Sequence, residues 1–198
     1  MEDPAAVAPQ RIDPARKKVA DHAKGFMPED EAEALYDAAR ARAPYGPILE
    51  IGTYCGKSAT WMGSAAAVRG GTVVTIDHHR GSEENQAGWE HRDTEVVDPR
   101  TGKMDTLPFF RRTMSDADLE DTVVAVLTTS TIAASLWSKP LAMLFIDGGH
   151  AEEHAQNDYA KWSGFVMPDG VLAIHDVFED PKDGGQARFH NYERALAD

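Results

Sequence analysis

The sequence predicts an α/β fold built on a doubly wound, largely parallel sheet. Five short apolar runs recur along it: Pro47–Ile51, Thr72–Ile76, Thr122–Leu127, Leu141–Ile146 and Val171–Ile174. Each is too short for a helix and most lack apolar–polar alternation, the pattern of strands buried on both faces. Segments of helical period separate them, and strands that alternate with helices form a parallel sheet covered on both sides. A length of 198 residues with 42% apolar content fits one domain with a sizeable core.

Taken in order, residues 1–28 are rich in Pro, Ala and charge and predict a leader with one short helix near Ala15–Lys24. A helix follows Pro28. Glu29, Asp30 and Glu31 suit its positive N-terminal end, and Ala32, Leu35, Tyr36 and Ala39 repeat at helical spacing until Pro44 and Gly46 end it. The organisation is therefore a helical leader over 1–45 and a ligand-binding domain over 46–198. Within the domain, helices are expected at Lys57–Val68, Leu107–Met114, Thr131–Trp137 and Ala151–Phe165, with a last one at Ala187–Leu196. Residues 78–106 form a polar insertion that holds Trp89 and several His and Glu residues. Loops that long in compact domains are commonly functional, so it is read as lid-like. No run of apolar β-formers follows Ile174. The sheet is expected to stop at five parallel strands, with an open outer edge that further chain, a second subunit or the last helix would cover.

Composition excludes several partners. The net charge of -13, from 33 acidic against 20 basic side chains, repels nucleic acid and anionic membrane. The single cysteine, Cys55, allows no internal disulfide. The opening MEDPAAVAPQ lacks the basic and apolar stretches of a signal peptide, and no apolar run approaches the ~18 residues of a membrane span. The expectation is a cytoplasmic protein with a small-molecule ligand. The leader and the insertion offer surface for a homodimer.

In such folds ligands bind beyond the carboxyl ends of the strands. Those ends carry Glu50-Ile-Gly52-Thr-Tyr54-Cys-Gly56-Lys-Ser58, Asp77-His78-His79, Ser130, Asp147-Gly-Gly-His150 and His175-Asp176. The first loop is one residue short of a nucleotide P-loop, which has four residues between its glycines. Glu50 at its start would repel phosphate and suits an ammonium or sulfonium group. Asp77, ending the next strand, suits a ribose diol, as acidic residues do in dinucleotide folds. The bland alternative is that Glu50 caps a strand and Asp77 begins a turn. No G-x-G-x-x-G fingerprint supports a nicotinamide cofactor. His78 and His79 either line the pocket or lie on the surface. The HAEEH run at His150–His154 matches an inverted zinc-peptidase motif only in letters, since His150 falls in a strand-to-helix turn.

Acidic-x-Gly-x-x-x-Gly after the first strand, with an acidic residue ending the second, resembles class I S-adenosylmethionine-dependent methyltransferases over about residues 46–178. The resemblance implies a Rossmann-like class I methyltransferase sheet, here lacking the family's C-terminal hairpin strands. It implies a cofactor site of Glu50, Gly52, Tyr54, Gly56, Ser58, Asp77, Ser130 and Asp147. The two glycines would admit the methionine moiety, and Glu50 would reach its amino group directly or through the loop. Asp77 would take the ribose hydroxyls and Ser130 the adenine. Asp147-x-x-His150 and His175-Asp176 are similar to metal-dependent small-molecule O-methyltransferases, in the branch acting on sugars and natural products. That likeness implies Asp147, His175 and Asp176 around Mg2+, with His150 as general base. The family's usual pair after the fifth strand is acidic-acidic or Asp-Asn. His175 departs from it, which leaves the place to imidazole or water or shifts preference toward Mn2+. The runs DHHRGSEENQ and VDPRTGKMDTLPFFRRT resemble mycobacterial methyltransferases of methylmannose polysaccharide synthesis, which implies a sugar or methylated mannoside as acceptor. A non-catalytic S-adenosylmethionine-binding module and a P-loop-like nucleotide binder remain open alternatives.

Overall fold

A computed structural model describes residues 11–81, 93–149 and 152–177. Among the described residues, five strands form one sheet: β1 (Ile48–Ile51), β2 (Val73–Ile76), β3 (Val123–Val126), β4 (Leu141–Ile146) and β5 (Val166–Ile174). Their order is β3-β2-β1-β4-β5 and every pairing is parallel. Ile51 at the end of β1 lies level with Ile76 of β2 and Ile146 of β4, so three strand ends open onto one edge. All four residues of β1 and all six of β4 are buried. That is why these runs show no alternation: both faces are covered.

The helices are α1 (Pro14–His22), α2 (Glu29–Arg42), α3 (Lys57–Ala67), α4 (Leu107–Asp116), α5 (Ser130–Leu136) and α6 (Glu152–Trp162). Asp13 caps α1 by accepting the backbone N–H groups of Ala15 and Arg16. Three acidic residues open α2, and Arg40 and Arg42 close it, both matched to the helix dipole. One layer joins α1–α4 to the sheet through Ala20, Leu35, Tyr36, Trp61, Met62, Phe110 and the strand residues Ile48, Met143 and Phe145. The other joins α5 and α6 through Ala133, Tyr159, Trp162, Leu49, Leu144 and Ile146. The chain after β1 thus crosses one face and the chain after β4 the other. The crevice between β1 and β4 is the switch point where such sheets bind ligands.

The five expected strands are present and parallel, and their ends differ in detail; whether the sheet stops there falls on residues 178–198, outside the described residues. The first three strands are trimmed by a residue or two, and α4 runs two residues further, to Asp116. β5 begins five residues earlier than expected, at Val166, with a register irregularity opposite Leu141 and Met143 and a left-handed Asp169. The letters Pro168-Asp169-Gly170 read as a turn, and they keep that character: Val166 pairs with Leu141 and Val171 with Met143, so Met167–Gly170 form an irregularity between two paired stretches. The end of α6 is a separate 3-10 turn, Ser163–Phe165. The expected helix at Ala187–Leu196 lies outside the described residues. So do His150, Trp89 and the middle of the insertion. The insertion's last part is folded: Thr94–Val96 make a 3-10 turn, Val97 bridges Met104, and Val96 and Met104 are buried against Cys55. Among the described residues, no helix is long and apolar enough to cross a membrane.

Candidate active site

The loop after β1 is held from beneath. Glu50 is wholly buried and accepts hydrogen bonds from Ser58 Oγ at 2.5 Å and Thr75 Oγ1 at 2.5 Å, with the Thr53 hydroxyl bonded to Thr75 in turn. Burial pushes its carboxyl up to about 8, and the Ser58 and Thr75 hydroxyls pull the other way. Glu50 therefore ties the start of α3 to β2 behind the loop. Of its two expected roles, the geometry favours action through the loop. Ser58, expected in the cofactor site, is likewise buried and spends its hydroxyl on Glu50.

Asp77 organises the same loop from the other side. Its Oδ2 accepts the backbone N–H groups of Thr53 and Tyr54, both at 2.9 Å, and its Oδ1 accepts that of His79 at 2.7 Å. The loop reaches this position through left-handed backbone at Gly52, Tyr54 and Gly56, with φ of 86°, 49° and 90°. A Cβ at position 52 would sit 2.2 Å from the carbonyl oxygen of Asp147, so the β1 and β4 loops touch at the switch point. Tyr54 donates its hydroxyl to Asp93 at 3.1 Å and faces the ring of Phe26 at 6.3 Å. Lys24 joins Asp93 at 2.7 Å and Glu95 at 2.6 Å, which fastens the insertion to the N-terminal segment beside the loop.

At the next strand ends the expected residues separate into distinct environments. Ser130, at the start of α5, donates its hydroxyl to Oδ1 of Asp158 on α6. Asp158 is buried, which raises its carboxyl above the usual range against the Ser130 hydrogen bond. A Cβ on Gly148 would lie 3.0 Å from its Oδ2, so this carboxylate also abuts the loop that carries Asp147. His79 is buried against Phe110 with Nδ1 2.7 Å from Thr106 Oγ1, and burial lowers its imidazole. It supports the fold, while His78 is exposed.

Asp147, His175 and Asp176 converge, each offering one ligand atom within 4.8 Å of the others. His175 Nδ1 lies 3.1 Å from Asp147 Oδ1 and 3.3 Å from Asp176 Oδ2. Its Nε2 lies 2.8 Å from Glu31 Oε2, on α2. Burial alone would lower this imidazole, yet the Asp147 and Asp176 carboxylates override it and hold the ring up to about 11. Two carboxylate oxygens and one imidazole nitrogen form a donor set that fits a divalent ion, and the nitrogen favours Mn2+ over Mg2+.

Two participants were missed by sequence reasoning. Asp158 had a signal: it lies on the apolar stripe Ala155, Tyr159 and Trp162, where a carboxylate needs a buried partner. Glu31 had none, because an acidic residue in a first helical turn already has a sufficient explanation.

A family model described as a methyltransferase domain matches residues 49–177. Among solved structures, an O-methyltransferase from Bacillus cereus in complex with SAH is 19% identical, with 98% of this chain and 83% of that chain covered and a TM-score of 0.64. The O-methyltransferase TomG from Streptomyces achromogenes, involved in tomaymycin synthesis and in complex with SAM, is 20% identical over 93% of this chain and 79% of that chain, TM-score 0.61. The O-methyltransferase NovP is 20% identical over 84% of this chain and 73% of that chain, TM-score 0.60. At such identities the likeness is one of fold.

Proposed function

The chain belongs to the methyltransferase-domain family, and from that premise we propose that it is an S-adenosylmethionine-dependent O-methyltransferase acting with a divalent metal on a small-molecule hydroxyl, a sugar or methylated mannoside. The observation that carries this reading is convergence. The Gly52–Gly56 loop, Asp77 and the Asp147–His175–Asp176 cluster meet at one sheet edge, around the β1/β4 switch point. The nucleotide-loop alternative falls with the family assignment.

S-adenosylmethionine supplies a sulfonium methyl that needs no activation, and the cation supplies charge that acidifies the acceptor hydroxyl. The chain's own residues do the rest. Gly52 and Gly56 let the backbone approach the methionine end, with Tyr54 beside them. A carboxylate has about four lone-pair sites, and three of those on Asp77 hold backbone N–H groups. The remaining one, on Oδ1, is open to a ribose hydroxyl without loosening the loop. Ser130 meets the adenine, its hydroxyl proton committed to Asp158 and its lone pairs therefore free to accept. Asp147, His175 and Asp176 hold Mn2+ or Mg2+. His150, which follows Asp147-Gly148-Gly149 in the sequence, takes the acceptor proton. The assembly we expect is a cytoplasmic homodimer.

The test is methyl transfer from labelled S-adenosylmethionine to a panel of sugar and phenolic hydroxyls, with Mn2+ or Mg2+ present. Label recovered as a methyl ether supports the reading. Cofactor binding with no transfer to any acceptor or with any metal would leave the non-catalytic module.

A further inference from the structure

We propose that Glu31 is a positioning residue of the metal centre, acting through His175 and supplied by the N-terminal helix rather than by the strand ends. This inference rests on the proposed metal site. The carboxylate of Glu31 accepts, so the His175 Nε2 facing it at 2.8 Å must carry the hydrogen. An imidazole held that way has its other nitrogen, Nδ1, turned toward Asp147 and Asp176 at 3.1 and 3.3 Å. That nitrogen is the one within reach of both carboxylates of the cluster. Histidine ligands commonly give their second N–H to a carboxylate, which fixes the ring and makes the ligating nitrogen more basic.

The arrangement accounts for a departure at this position. An imidazole attached at one point could rotate Nδ1 out of the cluster, and Glu31 removes that freedom. Phe145 flanks the same ring edge-on at 6.1 Å and limits tilting, while Glu31 sets which nitrogen faces in. The contact bridges 144 residues of sequence. The helix that carries it is fixed to the core by Ala32, Leu35, Tyr36 and Ala39, so its first turn is a rigid platform. Glu31 itself is half exposed, and replacing it leaves the core intact.

The experiment measures Mn2+ binding to the full chain, from the spin resonance signal of the free ion, without cofactor or acceptor. The proteins are wild type, Glu31→Ala, Glu31→Gln, His175→Ala and the Glu31→Ala/His175→Ala double variant, each first shown to melt cooperatively. Loss of such a partner typically costs about 10- to 100-fold in metal affinity. Glu31→Ala should weaken Mn2+ binding by that factor. Glu31→Gln, whose carbonyl still accepts the Nε2–H, should recover part of it. In the His175→Ala background, Glu31→Ala should change nothing further. Unchanged affinity in Glu31→Ala overturns the proposal, as does an equal loss with and without His175, which would make Glu31 a direct ligand or a simple charge. Wild type that binds no Mn2+ removes the metal site and this proposal with it. Wild type that binds while Glu31→Ala is unaffected removes the proposal alone.

Discussion

Replacing Glu50 by glutamine should stabilise the protein in a pH-dependent way. The side chain is wholly buried, and its carboxyl rises from 4.5 to about 8 on folding. A carboxyl with a raised folded value binds its proton more tightly in the native state. Its contribution is therefore greatest at low pH and declines as pH climbs from about 4.5 to about 8. At about 1.4 kcal/mol for each pH unit of that gap, the full swing is about 5 kcal/mol. Between pH 5 and pH 8 the same linkage gives about 3 kcal/mol. Glu50→Gln keeps the shape but cannot ionise; its carbonyl accepts from one of the Ser58 and Thr75 hydroxyls, and its amide donates to the other, which must turn to accept. His175 also binds protons more tightly in the folded chain and lowers stability above its ordinary value, but it does so in both proteins and cancels in the difference. Urea unfolding of the two proteins at about pH 5, 6.5 and 8 would give the curves. The difference in unfolding free energy should move toward the variant by about 3 kcal/mol across that range. Parallel curves would refute the reasoning and show Glu50 ionised at neutral pH in its hydroxyl cage.

Asp77→Ala should weaken S-adenosylhomocysteine by about 1–3 kcal/mol in calorimetry and lower the melting temperature, because three backbone N–H groups lose their acceptor together. Asp147→Ala and Asp176→Ala should abolish metal-supported turnover and chelation should mimic them, while His175→Ala retains more activity; full turnover in excess EDTA would remove the metal from the mechanism. His150→Ala should keep S-adenosylhomocysteine affinity while kcat drops about 10²- to 10⁴-fold; weakened cofactor binding at normal kcat would move His150 into the cofactor site. Gly52→Ala places a Cβ 2.2 Å from the Asp147 carbonyl on left-handed backbone and should prevent a stable fold, read as loss of the cooperative melt.

How far the sequence discloses this molecule depends on whether a signal is local. Leu141–Ile146 is legible to the residue, because a strand buried on both faces is written in its own letters. β5 is only half legible: Val171–Ile174 reads as a strand, while Val166, on the far side of the turn letters Pro168–Gly170, joins the sheet only through its pairing with Leu141. The site divides in the same way. Residues that follow strands, such as Asp77, Asp147 and Asp176, are found by position alone. What they do there is less visible: Asp77 spends most of its capacity on backbone, and Ser58 is turned inward to Glu50. Contacts across the fold leave the weakest trace. Nothing near Glu31 points to His175, and only the apolar setting of Asp158 hints at a buried hydroxyl partner.

The central claim is that this sheet edge holds S-adenosylmethionine. Its most direct test is titration of the purified chain with S-adenosylhomocysteine in a calorimeter, beside ATP and NAD as controls. The account predicts saturable binding with one molecule per chain, weakened in Asp77→Ala and absent for both controls. A folded protein that takes up no S-adenosylhomocysteine, or that binds ATP in its place, would contradict it.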